Sequence, residues 1–105
     1  PPGKGFFMLT SKQRAYLAAL AHHLDPVVHL GKAGAADGVS GALDRVLSDH
    51  ELVKLRFVDF KGEHKELAAQ LAQKNQAELV RVIGNVAILY RMNSDPEKRT
   101  IELPE

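Results

Sequence analysis

The chain has 105 residues, 45% of them hydrophobic and 26% charged, with a net charge of +1, the make-up of one soluble globular domain able to bury roughly 65% of its unfolded surface. No apolar run approaches the ~18 residues that a membrane-crossing helix needs. With no cysteine there is neither a disulfide framework nor a thiolate for catalysis or zinc, which points to a reducing, cytoplasmic setting.

The opening "PPGKGFF", residues 1–7, is expected to be a native leader or a cloning remnant, without an apolar run of signal-peptide length. Residues 8–105 read as a single domain. Thr10 and Gln13 have the spacing of a capping box, with Leu9 as its hydrophobic staple. Leu17, Leu20, Ala21 and Leu24 then recur at i, i+3, i+4 and i+7, which predicts one apolar helix face. Asp25-Pro26 should end that helix, because the residue before proline leaves the helical region. Val27–Leu30, "VVHL", is short and β-branched and reads as a buried strand.

Asp37 is the expected N-cap of a second helix with the stripe Val39, Leu43, Val46 and Leu47. Leu52 to Val58 alternates, placing Val53, Leu55 and Phe57 on one face and Lys54 and Arg56 on the other. A third helix is predicted from about Glu63 to Gln76, with Leu67, Ala68, Leu71 and Ala72 inward. "ELVRVI" and "VAILYR" flank Gly84-Asn85, the glycine-first pattern of a type II′ hairpin turn. The remaining tail is polar and then strand-like at "RTIELP". The order α-β-α-β-α-β-β predicts an α/β domain, a mixed four-stranded sheet packed with helices. Two helical crossovers favour parallel pairing, and the hairpin must be antiparallel.

Gly31 and Gly34 lie between the first strand and the second helix, and Gly38 follows at the helix start, all within eight residues. A phosphate-cradling Walker loop needs G-x-x-x-x-G-K-[ST]. Aligning Gly31-Lys32 to its Gly-Lys puts Pro26 at the first glycine and Ala33 at the hydroxyl position, so that reading fails. The dinucleotide spacing G-x-G-x-x-G fails too. What remains is a G-x-x-G loop, Gly31-Lys32-Ala33-Gly34. Such a loop can turn backbone N–H groups toward a phosphate, with Lys32 adding charge and the small Ala33 allowing close approach. The plain alternative is a tight strand-to-helix connection. Gly38 and Gly41 are expected to ease packing at the start of the second helix.

With a net charge of +1, nucleic-acid binding must come from a local patch. Lys12 and Arg14 on the first helix, Lys54 and Arg56 on one strand face, and Arg81 and Arg91 on the last strands are the basic candidates. Asp37, Asp44 and Asp49 argue against the second helix beyond its N-terminus. The five histidines make no metal-ligand spacing. The serines lack a nucleophile context, and no carboxylate pair stands out. No cofactor, metal or enzymatic activity is expected.

In order and spacing, "LTSKQRAYLAALAHHLDPVVHLGKAG", "HELVKLRF", "VRVIGNVAILYR" and "IELP" resemble the CRM domain (chloroplast RNA splicing and ribosome maturation), in its small bacterial stand-alone, YhbY-like form. The resemblance covers Met8 to Pro104. It implies a fold similar to the C-terminal domain of translation initiation factor 3, RNA binding, and association with precursors of the large ribosomal subunit. The expected RNA-binding residues are Gly31, Lys32, Ala33 and Gly34, extended by Lys12, Arg14, Lys54, Arg56 and Arg91. A monomer acting on ribosomal RNA is expected, reading mostly RNA shape because exposed aromatics are few. One alternative is a protein-interaction module docking a partner on its hairpin or "IELP" tail. The other is a phosphate-ligand enzyme using the same loop.

Overall fold

A computed structural model of the chain describes residues 9–26, 28–30, 37–58 and 64–104. The elements are α1 (Ser11–Ala21), β1 (Val28–Leu30), α2 (Asp37–His50), β2 (Leu52–Phe57), α3 (His64–Lys74), β3 (Glu78–Ile83) and β4 (Val86–Tyr90), followed by a 3-10 turn at Pro96–Lys98. The order is the one the sequence predicts. The sheet runs β1-β2-β4-β3, with β1 parallel to β2 and both pairs made by β4 antiparallel.

This order explains where the helices lie. The crossovers β1-α2-β2 and β2-α3-β3 step the same way across the sheet, and right-handed crossovers then put both helices on one face. Val28, Val53, Leu55, Phe57, Ala87 and Leu89 of that face pack with Leu43 and Leu47 of α2 and Ala68, Leu71 and Ala72 of α3. The opposite face carries a second core, in which Leu9, Leu17 and Ala21 meet Leu52, Val80, Ile88 and Tyr90. The domain is therefore three-layered, with α1 alone against two helices. A bulge between Leu79 and Arg81 breaks the alternation of β3.

The capping box of α1 forms as expected: Thr10 Oγ1 accepts from the Gln13 N–H at 3.1 Å and Gln13 Oε1 accepts from the Thr10 N–H at 3.0 Å. The helix stops at Ala21, not at Asp25-Pro26, because the N–H groups of His22, His23 and Leu24 fold back in a tightened turn onto the carbonyls of 18–21. Lys54 Nζ then takes the Leu24 carbonyl at 2.9 Å. As a result Leu24 leaves the predicted inward stripe and stands 40% exposed, and Leu20, still inside α1, is 37% exposed. Asp37 is the first helical residue of α2, not its N-cap. Gly41 is exposed, and a Cβ there would meet nothing within 4 Å, so it does not serve packing among the described residues.

Both later helices end on a left-handed residue that is not glycine. At α3, Gln76 (φ 56) closes a Schellman motif, with Ala77 N–H on the Ala72 carbonyl and Gln76 N–H on that of Gln73. At α2, Glu51 (φ 49) sends its N–H to the Leu47 carbonyl. Its carboxylate is buried and accepts from Asn93 N–H at 2.7 Å and Thr100 N–H at 2.9 Å. The tail is thereby fixed in irregular form where the sequence predicts a strand. Its polar groups go to Glu51 and to Gln13, whose Nε2 donates to the Pro104 carbonyl, rather than to a sheet edge. Ile101 and Leu103 pack onto the α1-side core, so the "IELP" tail is occupied within the chain.

The hairpin is as predicted. Ile83 pairs with Val86 across a two-residue turn, and Gly84 has φ 58. Asn85 keeps a negative φ, the combination of a type II′ turn.

Candidate nucleic-acid interface

The G-x-x-G residues Gly31, Lys32, Ala33 and Gly34 lie outside the described residues, but the elements on either side locate the loop's root. β1 ends at Leu30, which pairs with Phe57 at the end of β2, and α2 begins at Asp37. The loop therefore leaves the sheet at the end where β2 finishes and β3 turns into β4.

Strand register identifies what shares that end. On the face of α1, His29 pairs with Arg56, Arg56 with Val86, and Val86 with Ile83, one row across all four strands. The next row inward is Lys54, Ile88 and Arg81. Beyond it come Leu52, Tyr90 and Val80, which α1 and the tail cover. Because α1 is short, this end stays open: His29, Arg56 and Ile83 of the outermost row and Arg81 of the next are all exposed, Ile83 by 56%. The two rows contain three arginine and lysine side chains and, among the described residues, no carboxylate.

The basic residues singled out by sequence separate into different jobs. Arg56 is exposed in the outermost row, one residue before the partner of Leu30. Lys54 lies in the second row, half-buried, with its ammonium held by the Leu24 carbonyl. Lys12 is exposed in the first turn of α1. Arg14 reaches the Leu79 carbonyl at 3.1 Å and stands 4.0 Å from Glu78, joining α1 to β3. Arg91 is at the far end of the sheet, where its guanidinium donates to Asp44 Oδ1, the Asp44 and Asn75 carbonyls and Ser48 Oγ at 2.7–3.0 Å. The structure thus brings Arg56, Lys54 and Arg81 together beside the loop root and sets Arg91 apart.

His29, Ile83 and Val86 are members of this open row that sequence reasoning passed over. Their signal was present in part: a type II′ turn at Gly84-Asn85 fixes Ile83 opposite Val86. Which face stays open depends on how far α1 reaches, and periodicity alone does not give that. No group of three or more potential metal ligands occurs among the described residues.

Comparison with known proteins places these features in context. Residues 9–91 match the family model described as the CRS1 / YhbY (CRM) domain. A Haemophilus influenzae protein named as an RNA-binding protein is 37% identical over 97 residues, covering 91% of this chain and 95% of its own length. The probable RNA-binding protein YqeI of Bacillus subtilis is 36% identical over 98 residues, covering 92% of this chain and all of its own. The solution structure of a Staphylococcus aureus hypothetical protein, described as a candidate RNA binder, superposes with a TM-score of 0.79. It is 37% identical, over 92% of this chain and 100% of that one.

Proposed function

The chain belongs to the CRS1 / YhbY (CRM) domain family, and on that premise we propose that it is a non-enzymatic, monomeric RNA-binding protein of the cytoplasm that joins precursors of the large ribosomal subunit and assists their assembly. The observation that carries the reading is the open end of the sheet, whose two outer rows hold no carboxylate among the described residues, with Arg56 exposed beside the root of the glycine loop.

In this reading Gly31–Gly34 offers backbone N–H groups to an RNA phosphate and Lys32 neutralises it. Ala33 leaves room for the sugar–phosphate backbone. Arg56 and Arg81 contact neighbouring phosphates, while Lys54 contributes charge from a fixed position. Lys12 adds a contact from α1. Each phosphate neutralised on a single strand adds about −0.7 to the slope of log affinity against log salt. The internal contacts of Arg14 and Arg91 give those two residues a structural task.

The test is RNA binding across salt concentrations, together with sucrose-gradient sedimentation, for the wild type, Lys32→Glu and Gly34→Asp. Both substitutions should weaken binding and move the protein out of the large-subunit precursor fractions. Retained co-sedimentation in both variants would overturn the loop mechanism, and absence of RNA binding by the wild type at low salt would overturn RNA binding itself.

A further inference from the structure

We infer that the open end of the α1-side sheet face is a seat for unpaired RNA bases, with Ile83 and Val86 beneath them and Arg56, Arg81 and His29 around them. This rests on the RNA-binding reading above and adds to it what the RNA must offer: bases free of a duplex.

The row is more than a basic patch. A strand face meant only to attract phosphate gains nothing from exposed β-branched side chains, which water disfavours. Yet Ile83 is 56% exposed, the largest exposure among the large hydrophobic residues described, and Val58 at the end of β2 is 39% exposed. Val86 lies directly between Ile83 and Arg56 in register. The result is an aliphatic pair on β4 and the edge strand β3, flanked on its inner sides by Arg56 and Arg81. Four strands at about 4.8 Å spacing span about 14 Å, the width on which sheet platforms hold two or three bases.

The chemistry favours a single strand over a duplex. A paired base has its faces covered by its neighbours, and a duplex presents phosphate and ribose to a protein surface. An unpaired base has an apolar face to lay on Ile83 and Val86, and guanidinium groups at the border can stack on it or reach its phosphate. The described aromatic rings near the sheet are committed elsewhere. Phe57 is buried on the opposite face, stacked on His64 with centroids 4.8 Å apart, and Tyr90 is buried beneath α1 and the tail. Among the described residues the seat is therefore aliphatic and cationic, tolerant of base identity, and demands only that bases be unstacked. The shape recognition expected from the scarcity of aromatics gives way to recognition of unpaired segments.

The test is fluorescence anisotropy of the full chain with an unstructured oligoribonucleotide and with the blunt duplex made from the same sequence and its complement. The wild type should bind the single strand about fivefold or more tightly, and Ile83→Asp should remove most of that preference while leaving the thermal melt unchanged. Ile83→Thr, which keeps the β-branched shape, should lose about threefold on the single strand and nothing on the duplex. Arg56→Gln should weaken both RNAs and lower the salt slope. Equal binding of the two RNAs, or a single-strand affinity indifferent to both Ile83 substitutions, would overturn the base seat while leaving RNA binding in place. Failure of the wild type to bind either RNA would overturn the underlying reading.

Discussion

Arg91 and Asp44 meet at 2.7 Å, and through that contact the end of β4 is tied to the middle of α2. The charge pair is the lesser part of the link, since Asp44 is 61% exposed and well screened. The same guanidinium takes the Asp44 backbone carbonyl and that of Asn75, the residue closing α3. At Asn75 the cation lies over the C-terminus of α3, where it satisfies a carbonyl of the kind a helix end leaves unpaired.

Arg91→Gln should therefore lower folding stability by about 1–2 kcal/mol, through the Asn75 carbonyl left without this donor and the lost ties to Asp44 and Ser48. Urea denaturation measures that loss. The salt slope of RNA binding should stay at the wild-type value, and a lower slope would place Arg91 on the RNA after all.

The two left-handed helix ends predict opposite responses to glycine. A side chain in this backbone region costs roughly 1 kcal/mol. Gln76 is exposed and only the backbone of its motif is used, so Gln76→Gly should raise stability by up to about 1 kcal/mol. Glu51→Gly relieves the same strain but strips the acceptors from Asn93 and Thr100. The net outcome should be a loss of about 2 kcal/mol. Urea midpoints give both signs, and hydrogen exchange should show residues 92–104 loosened only in the Glu51 variant.

Alkaline pH should act through Tyr90. Burial pushes its phenol up to about 12, with the Glu51 carboxylate adding to the shift and Arg99 opposing it. An unfolded tyrosine ionises near 10. Between pH 10 and 12 the unfolded chain thus holds fewer protons than the folded one, and stability falls as pH rises. Below pH 10 the group contributes no slope. The loss is on the order of 2–3 kcal/mol across that window. Tyr90→Phe should flatten the difference. It should cost little at pH 7, because the Tyr90 hydroxyl has no hydrogen-bond partner among the described residues.

Arg14 guards an edge. Strand β3 ends the sheet, and an edge strand offers free carbonyls to a second chain. Arg14 covers the one at Leu79. Arg14→Ala should raise self-association at high protein concentration, seen by sedimentation velocity, with a stability loss of about 1 kcal/mol or less.

Local chemistry was legible in the sequence wherever one short stretch decides the outcome. Thr10 with Gln13, Gly84 with Asn85, and the alternation of Val53, Leu55 and Phe57 each act through neighbours in the chain. Longer-range facts were not legible. Leu24 follows a sound helical period, but the helix stops at Ala21, before reaching it. Arg91 looks like any strand-end cation until α2 brings Asp44 to it from 47 residues away. Glu51 shows no sign of burial before the tail folds over it. In the candidate interface, Arg56 was identified through its parity with Lys54. Ile83 was missed because an isoleucine at a strand end is ordinarily core, and its exposure depends on the reach of α1.

The position of β4 sets the order in which the molecule can be completed. It is the last strand in the chain and yet sits between β2 and β3. During synthesis β2 emerges well before β4 and its edge stays an open slot, whereas β3 precedes β4 by only a two-residue turn and joins it as a hairpin. The slot closes only when residues 86–90 arrive, and Glu51 remains without its tail donors until Thr100 follows. The late, distant pairing of β2 with β4 makes for a slow final step and a half-built sheet open to the wrong partner. Chains cut short before Tyr90 should accumulate as aggregates, not as smaller folded domains.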